Sequence, residues 1–207
     1  MLGERWTLLI LRNLLLGPRR YSDLMAELPG ITTNLLARRL RDLEQDGLVE
    51  KRTLPRPAAT TVYALSESGE ALEPALMELA KWGGRYLDHP NPDDRFDIGW
   101  ALLSMKRRYR GGLSLSMRLE VDERVFAIDC EPESVQVKER EPERPQLTLR
   151  GGLEAVVDLF FLQGNPSQLI QQGRIELVGT RESLRRLLAA FPPSKNPALF
   201  AGHANAR

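Results

Sequence analysis

Residues 31–47 read ITTNLLARRLRDLEQDG, a helix with both ends marked. Thr32, Thr33 and Asn34 are residues that cap helix N-termini. Leu35, Leu36, Leu40 and Leu43 recur at helical spacing and form one apolar stripe. Arg38, Arg39 and Arg41 fall off that stripe, and Asp46-Gly47 closes the run, glycine being common just past a helix end. A helix with an apolar back and three arginines within four residues fits a nucleic-acid surface. Taken alone, such a helix is more readily a solvated face, so its flanks decide between the two.

Before it, Leu2–Leu16 (LGERWTLLILRNLLL) reads as a helix that is apolar on nearly every face. Such a helix is buried on several sides or shared with a second subunit. Gly17-Pro18 stops it, a short helix begins near Ser22, and Pro29-Gly30 turns the chain into the helix at 31–47. Three helices joined by tight turns form a helix-turn-helix unit. After it, Leu48–Arg52 and Thr61–Leu65 read as two strands of a hairpin, with Thr53–Thr60 (TLPRPAAT) as an irregular tip. Helices followed by a hairpin make a winged helix. Ser66–Leu87 reads as one further helix with Leu72, Leu76, Leu79 and Trp82 in a seam. A small winged domain has little core left to cover that seam, so it points to a dimer contact, with packing on a second domain as the alternative.

The bulk composition narrows the function classes. The chain has 207 residues, 42% hydrophobic and 28% charged, with a net charge of +1. That is enough chain for one large or two small domains, and any attraction to nucleic acid must be local. Cys130 is the single cysteine, so an intrachain disulfide is excluded. His89 and His203 fall in the expected linker and tail, and no metal-ligand spacing is present. The apolar run of Met1–Gly17 is interrupted by Glu4, Arg5 and Arg12, and no run is long enough to span a membrane. A cytoplasmic protein is the default expectation.

The second half opens with Asp88–Arg95 (DHPNPDDR), a linker by composition. Phe96–Tyr109 reads as a helix broken by Gly111-Gly112. Leu113–Val121 alternates strictly between apolar and polar residues, as a half-buried strand does. Arg124–Glu131, Ser134–Lys138, Gln146–Leu149 and Ile175–Val178 are further strands, with helices at Gly151–Leu162, Pro166–Gln172 and Thr180–Phe191, the last capped by Thr180. Pro192–Arg207 has no periodicity and reads as a tail.

The first half resembles the HxlR-type family of winged helix-turn-helix transcription regulators over about Met1–Leu87. The resemblance rests on LGERWTLLILRNLLLGPRRYSDLMAELPGI at Leu2–Ile31, LARRLRDLEQDGLVEKR at Leu36–Arg52 and VYALSESGEALEP at Val62–Pro74. The Gly17-Pro18-Arg19-Arg20-Tyr21 turn matches the family's own. The resemblance implies a homodimer on double-stranded DNA, joined through the first and last helices of the domain. Many members carry a cysteine shortly before the Leu-Gly block, and this chain has none there. Cys130 reads instead as a buried structural thiol.

The contact residues follow from chemistry. A recognition helix lays its N-terminal residues against base edges, here Thr32, Thr33 and Asn34. Asparagine pairs with adenine through two hydrogen bonds, and threonine meets a thymine methyl. Arg38 and Arg39 lie one turn on, within reach of a base or phosphate. Arg19, Arg20 and Tyr21 at the start of the second helix are read as holding backbone phosphate, and Lys51, Arg52 and Arg56 on the hairpin as meeting the flanking backbone or the minor groove. Arg41 and Lys51 read equally as plain surface. Arg19–Arg56 contains eight basic and six acidic residues, and the basic ones are expected to face outward.

The second half resembles the sterol carrier protein type 2-like fold over about Phe96–Phe191. The resemblance rests on the order of elements, on DLFFLQG at Asp158–Gly164 and on GRIELVG at Gly173–Gly179. It implies a sheet covered by helices on one side, often around an apolar tunnel, with Trp100, Leu103, Met117, Phe126, Phe160 and Phe161 as lining. Taken singly, each of these residues reads first as plain core filling, since pockets and cores are both apolar. The fold class expected is therefore α+β: a winged-helix domain at 1–87 and a sterol carrier-like domain at 96–191. The function expected is a homodimeric DNA-binding transcription regulator, a repressor by preference. Its second domain binds a small apolar, lipid-like effector or, alternatively, dimerises or docks a partner protein. No nucleophile-base set, phosphate loop, cofactor motif or metal set is present in the sequence, so no catalysis is expected.

Overall fold

The computed structural model describes residues 2–54, 59–86, 96–193 and Phe200. The expected linker at 88–95, Arg56, both histidines and nearly all of the expected tail lie outside them. The chain divides into two compact units, Met1–Trp82 and Gly83–Arg207.

The first unit begins later as a helix than the sequence predicts. Trp6 takes a left-handed φ of 79°, which a right-handed helix does not tolerate, so α1 runs Thr7–Leu15. It buries Ile10, Leu11, Leu14 and Leu15, and with them Thr7 and Asn13. Gly17 (φ 133°) ends it. Then come α2 (Tyr21–Glu27), α3 (Thr33–Gln45), and the antiparallel pair β1 (Val49–Thr53) and β2 (Thr61–Leu65), registered Val49 to Leu65 and Thr53 to Thr61. Arg19 adds a third edge: its N–H donates to the Tyr63 carbonyl (2.9 Å) and its carbonyl accepts from the Tyr63 N–H (2.7 Å). The winged helix-turn-helix architecture is thus present.

The helix predicted over 66–87 divides into α4 (Glu67–Glu70) and α5 (Glu73–Gly83), followed by a 3-10 turn at Gly84–Tyr86. Pro74 is the cause, since it lacks the N–H that a continuous helix would donate one turn back. Ser66 caps α4, its hydroxyl accepting from the Gly69 N–H (3.1 Å). Gly69 is buried so tightly that an added β-carbon would sit 2.1 Å from the Leu48 carbonyl oxygen. No residue of α5 is buried in its own unit; Leu79 is 48% exposed and Trp82 57%.

The second unit is a five-stranded sheet with helices. Asp97 caps α6, its carboxylate accepting from the Trp100 N–H (3.0 Å). That cap fixes the helix at Ile98–Met105, shorter than the predicted 96–109, and a 3-10 turn follows at Lys106–Arg108. The remaining elements are β3 (Leu115–Val121), β4 (Arg124–Cys130), β5 (Val135–Lys138), β6 (Leu147–Gly151), α7 (Leu153–Phe161), α8 (Pro166–Gln171), β7 (Ile175–Val178) and α9 (Arg181–Ala190). The strand order is β5-β4-β3-β6-β7, antiparallel except for the parallel β3/β6 pair. Thr180 caps α9 as its sequence predicts, accepting from the Ser183 N–H (3.0 Å).

Alternation along β3 sends Leu115, Met117, Leu119 and Val121 into the core and Ser116, Arg118 and Glu120 to the opposite face. That opposite face is a charge ladder. Register sets Arg150 between Glu120 and Glu176, at 3.1 and 3.3 Å. Arg118 pairs with Glu120 and, at 2.8 Å, with Glu141. Hydrogen bonds from the Arg118 guanidinium hold the Glu120 and Glu141 carboxyls below the ordinary value of 4.5. A depressed carboxyl stabilises the fold above its unfolded pKa and loses that contribution as pH falls through the folded value. Thermal melting of the full chain should therefore show a loss of stability below about pH 4.5 that is smaller in Arg118→Met; an equal acid dependence in both proteins would refute the ladder's role.

Candidate nucleic-acid interface

The interface is built on α3, and α3 is held from three sides. Leu36, Leu40 and Leu43 are at most 2% exposed and seat it in the core; full burial of such a side chain contributes roughly 1.5–3 kcal/mol. The Thr32 hydroxyl caps its start, accepting from the Leu35 N–H (3.4 Å). The Tyr21 hydroxyl donates to the Thr33 carbonyl (2.6 Å), tying the start of α2 to the start of α3. At its other end, Lys51 on β1 pairs with Glu44 (3.1 Å) and lies 5.5 Å from the centre of the Tyr63 ring. The hydrogen bond to Glu44 raises the Lys51 pKa, so this strut between helix and hairpin stays charged.

What remains outside is a row. Thr32, Thr33 and Asn34 are exposed at the N-terminal end, and Arg38, Arg41 and Gln45 continue the line at helical spacing. Among the described residues neither Arg38 nor Arg41 has a carboxylate at ion-pair distance. Arg41, which the sequence left as either surface or contact, belongs to this row; its spacing of seven from Asn34 was the signal for it. Arg20 and Arg52 are also exposed, Arg52 beside Glu50.

Two expected contacts are placed elsewhere. Arg19 is 6% exposed and faces inward, its Nε donating to Glu27 (3.0 Å) and its Nη1 to the Pro18 carbonyl (3.3 Å). The Glu27 carboxylate also accepts from the Asn13 side chain (3.0 Å). Arg19 turns inward because its backbone completes the sheet edge beside Tyr63, which directs the side chain under the turn. Arg39 flanks the apolar stripe rather than opposing it. Its side chain is 11% exposed, and it pairs with Glu4 (2.5 Å) and Asp42 (3.1 Å) beside a polar cleft that Thr7 and Gln45 also line. Glu27 and Asn13, which the sequence reading passed over, are the scaffold that fixes α1 to the turn.

In the second unit, Leu103, Met117, Phe126, Phe160 and Phe161 are buried and Trp100 is half-buried. Leu103 is on α6, Met117 on β3, Phe126 on β4, and Phe160 and Phe161 at the end of α7. Phe200, from the expected tail, stacks on Phe161 with ring centres 4.4 Å apart and meets Phe96 edge-on. Cys130 is buried, and burial beside Asp129 pushes its thiol up to about 12. Only the thiolate reacts, so the native chain should resist thiol-alkylating reagents at neutral pH and react once denatured. Rapid alkylation of the folded protein, read by mass, would contradict this. Among the described residues, no group of three histidine, cysteine or carboxylate side chains is placed to hold a metal. No helix among them is long and apolar enough to cross a membrane.

Comparison with known proteins agrees with the architecture of the first unit. The model of the HxlR-like helix-turn-helix family matches residues 1–91. The HTH-type transcriptional regulator YodB of Bacillus subtilis is 35% identical over 88 residues, which is 42% of this chain and 79% of YodB. The uncharacterized HTH-type transcriptional regulator YkvN of the same organism is 36% identical over 98 residues, 47% of this chain and 83% of YkvN. Among solved structures, the reduced form of YodB covers 45% of this chain and 88% of its own, at 35% identity and a TM-score of 0.38. With that level of identity carried across four-fifths of a relative's length, the chain belongs to the HxlR-like helix-turn-helix family.

Proposed function

We propose that the protein is a DNA-binding transcription regulator that acts as a homodimer and represses its target. The observation that carries this reading is the exposed row Thr32, Thr33, Asn34, Arg38 and Arg41 on a helix whose opposite side is seated in the core. In the major groove, Asn34 supplies a donor-acceptor pair suited to adenine, and Arg38 one suited to guanine or phosphate. Arg20 and Arg52 supply backbone contacts on either side, while Arg19, Tyr21 and Arg39 position the turn and α3 rather than touching DNA. The homodimer is supported by α5, which buries nothing in its own unit and exposes Leu79 and Trp82; a second copy of the same helix would cover them.

The second unit is proposed as a sterol carrier-like module. A sheet with a parallel central pair and helices packed on it is the architecture that resemblance implies. An apolar effector held by Leu103, Met117, Phe126, Phe160 and Phe161 would have to open a core in which each is 3% exposed or less. A docking or dimerisation role requires no such opening, and the burial favours it. Sequencing of genomic fragments retained by the full chain, followed by mobility shift on the enriched sequences, tests the main reading. A palindromic consensus is the expected result, and retention of no sequence above background would overturn it. Intact-mass analysis under native conditions separates the two readings of the second unit, through presence or absence of a co-purifying apolar compound.

A further inference from the structure

Arg108 is held in the second unit as no other half-buried arginine there is. It ends the 3-10 turn after α6. Its Nη1 donates to the carbonyls of Phe160 (3.2 Å) and Pro192 (2.7 Å), and its Nη2 to that of Phe160 (3.3 Å). Among the described residues, no carboxylate lies at ion-pair distance from it and its Nε has no acceptor. The other two half-buried arginines described in this unit do have carboxylates: Arg118 pairs with Glu120 and Glu141, and Arg124 with Asp97 and Glu139. Taking a cation out of water without a counter-charge is costly. The Phe160 carbonyl belongs to the C-terminal end of α7, and a helix end offers only about half a negative charge. That end fixes the guanidinium in place and compensates it in part. Burial, with the charge of Arg107 adding to it, draws the Arg108 pKa down to about 10.

Arg108 lies over the ring of Phe161, 4.9 Å from its centre, and the same ring has an aromatic neighbour. Phe200 stacks on Phe161 with centres 4.4 Å apart and planes 22° from parallel. Phe96 meets Phe200 edge-on, at 6.2 Å and 84°. Phe161 is fully buried, whereas Phe96 and Phe200 are half-buried. Phe200 therefore occupies a slot with a flat aromatic floor and an edge-on aromatic wall. The floor is the ring that the under-compensated cation lies over. Phe200 fits the slot by shape and brings no negative charge to it.

We propose that this slot is a binding site for an aryl-alkanoic acid, whose ring takes the place of Phe200 on Phe161 and whose carboxylate pairs with Arg108. A carboxylate suits the fork of donors that a guanidinium presents. Only Phe200 has to leave, so the core stays closed and the burial that weighs against a core ligand does not weigh here. The site is independent of DNA binding. Its test is calorimetric titration of the full chain with 3-phenylpropionate and with the neutral 3-phenylpropanamide. The wild type should prefer the acid by roughly 10-fold, the difference between a charged and a neutral hydrogen-bonding partner. Phe200→Ala removes the internal competitor and should bind both probes more tightly, by roughly 2- to 12-fold for a stacked pair. Arg108→Met should lose the preference for the acid while binding the amide as before, and Arg108→Lys should retain a preference, which separates the charge from the tie to α7. If Arg108→Met does not fold, the wild type and Phe200→Ala still decide. Equal affinity for acid and amide in both of these proteins would overturn the proposal. So would a Phe200→Ala chain, its slot open, that binds the acid no more tightly than the wild type.

Discussion

Replacing Glu27 with alanine should cost the first unit more than removing any exposed charge on it. The Glu27 carboxylate accepts from the buried Arg19 guanidinium and from buried Asn13. Alanine leaves a cation 6% exposed and an amide 1% exposed without that acceptor. Removing one member of a buried pair costs about 3–5 kcal/mol when both are fully buried; with the Glu27 side chain 29% exposed, roughly 2–4 kcal/mol is expected here. For a unit of this size that is a fall in Tm on the order of 10–20 °C. Asn13 and Arg19 bond to different oxygens of Glu27, so Glu27→Gln keeps an acceptor for only one of them and should lose less than alanine but clearly more than nothing. Arg52→Ala, which breaks a pair exposed on both sides, should change stability by less than about 0.5 kcal/mol. Thermal melts of the three variants check the order, and a Glu27→Ala melt within error of wild type would show that the Glu27 pairing does not hold the first unit together.

The contrast between Glu27 and Arg52 also marks what could be read from the chain. Periodicity found the helices and strands because it reports the buried side, and burial dominates their stability: the stripe Leu36, Leu40, Leu43 and the alternation of β3 were both visible. Where the backbone departs from regular geometry, periodicity is blind. Leu2–Trp6 kept helical spacing but Trp6 is left-handed, and the seam from Leu72 to Trp82 ran through Pro74, whose missing N–H was the legible sign that it would break. The exposure of the row at 32–34 and of Arg38 was legible from phase alone. Arg19 and Arg39 were not, because an arginine's direction depends on a carboxylate brought to it by another element, here Glu27 from α2 and Glu4 from the chain start. Sequence adjacency to a turn indicates where a charge begins, whereas the fold determines where it ends.

That distinction gives the second large effect. Arg38→Ala should weaken DNA binding about 30-fold or more and leave the fold intact. Arg38 is exposed on α3 with no ion pair among the described residues, so alanine removes no contact of the fold and suits a helix at least as well. A lost base or phosphate contact of this kind costs about 1–3 kcal/mol. In the proposed two-fold dimer both half-sites would lose it, roughly 2–6 kcal/mol together, which weakens binding about 30-fold or more. Arg39→Ala, one residue on, should do the reverse. It breaks the ties to Glu4 and Asp42, so its Tm should fall by a few degrees, about 1 kcal/mol. Its DNA affinity should fall only as far as α3 shifts. Anisotropy titrations and melts on the same two variants read both quantities. Normal binding by Arg38→Ala would remove this face of α3 from the interface. A large loss of binding by Arg39→Ala at unchanged Tm would place Arg39 on the DNA and make its pairing with Glu4 a resting state that binding exchanges for phosphate.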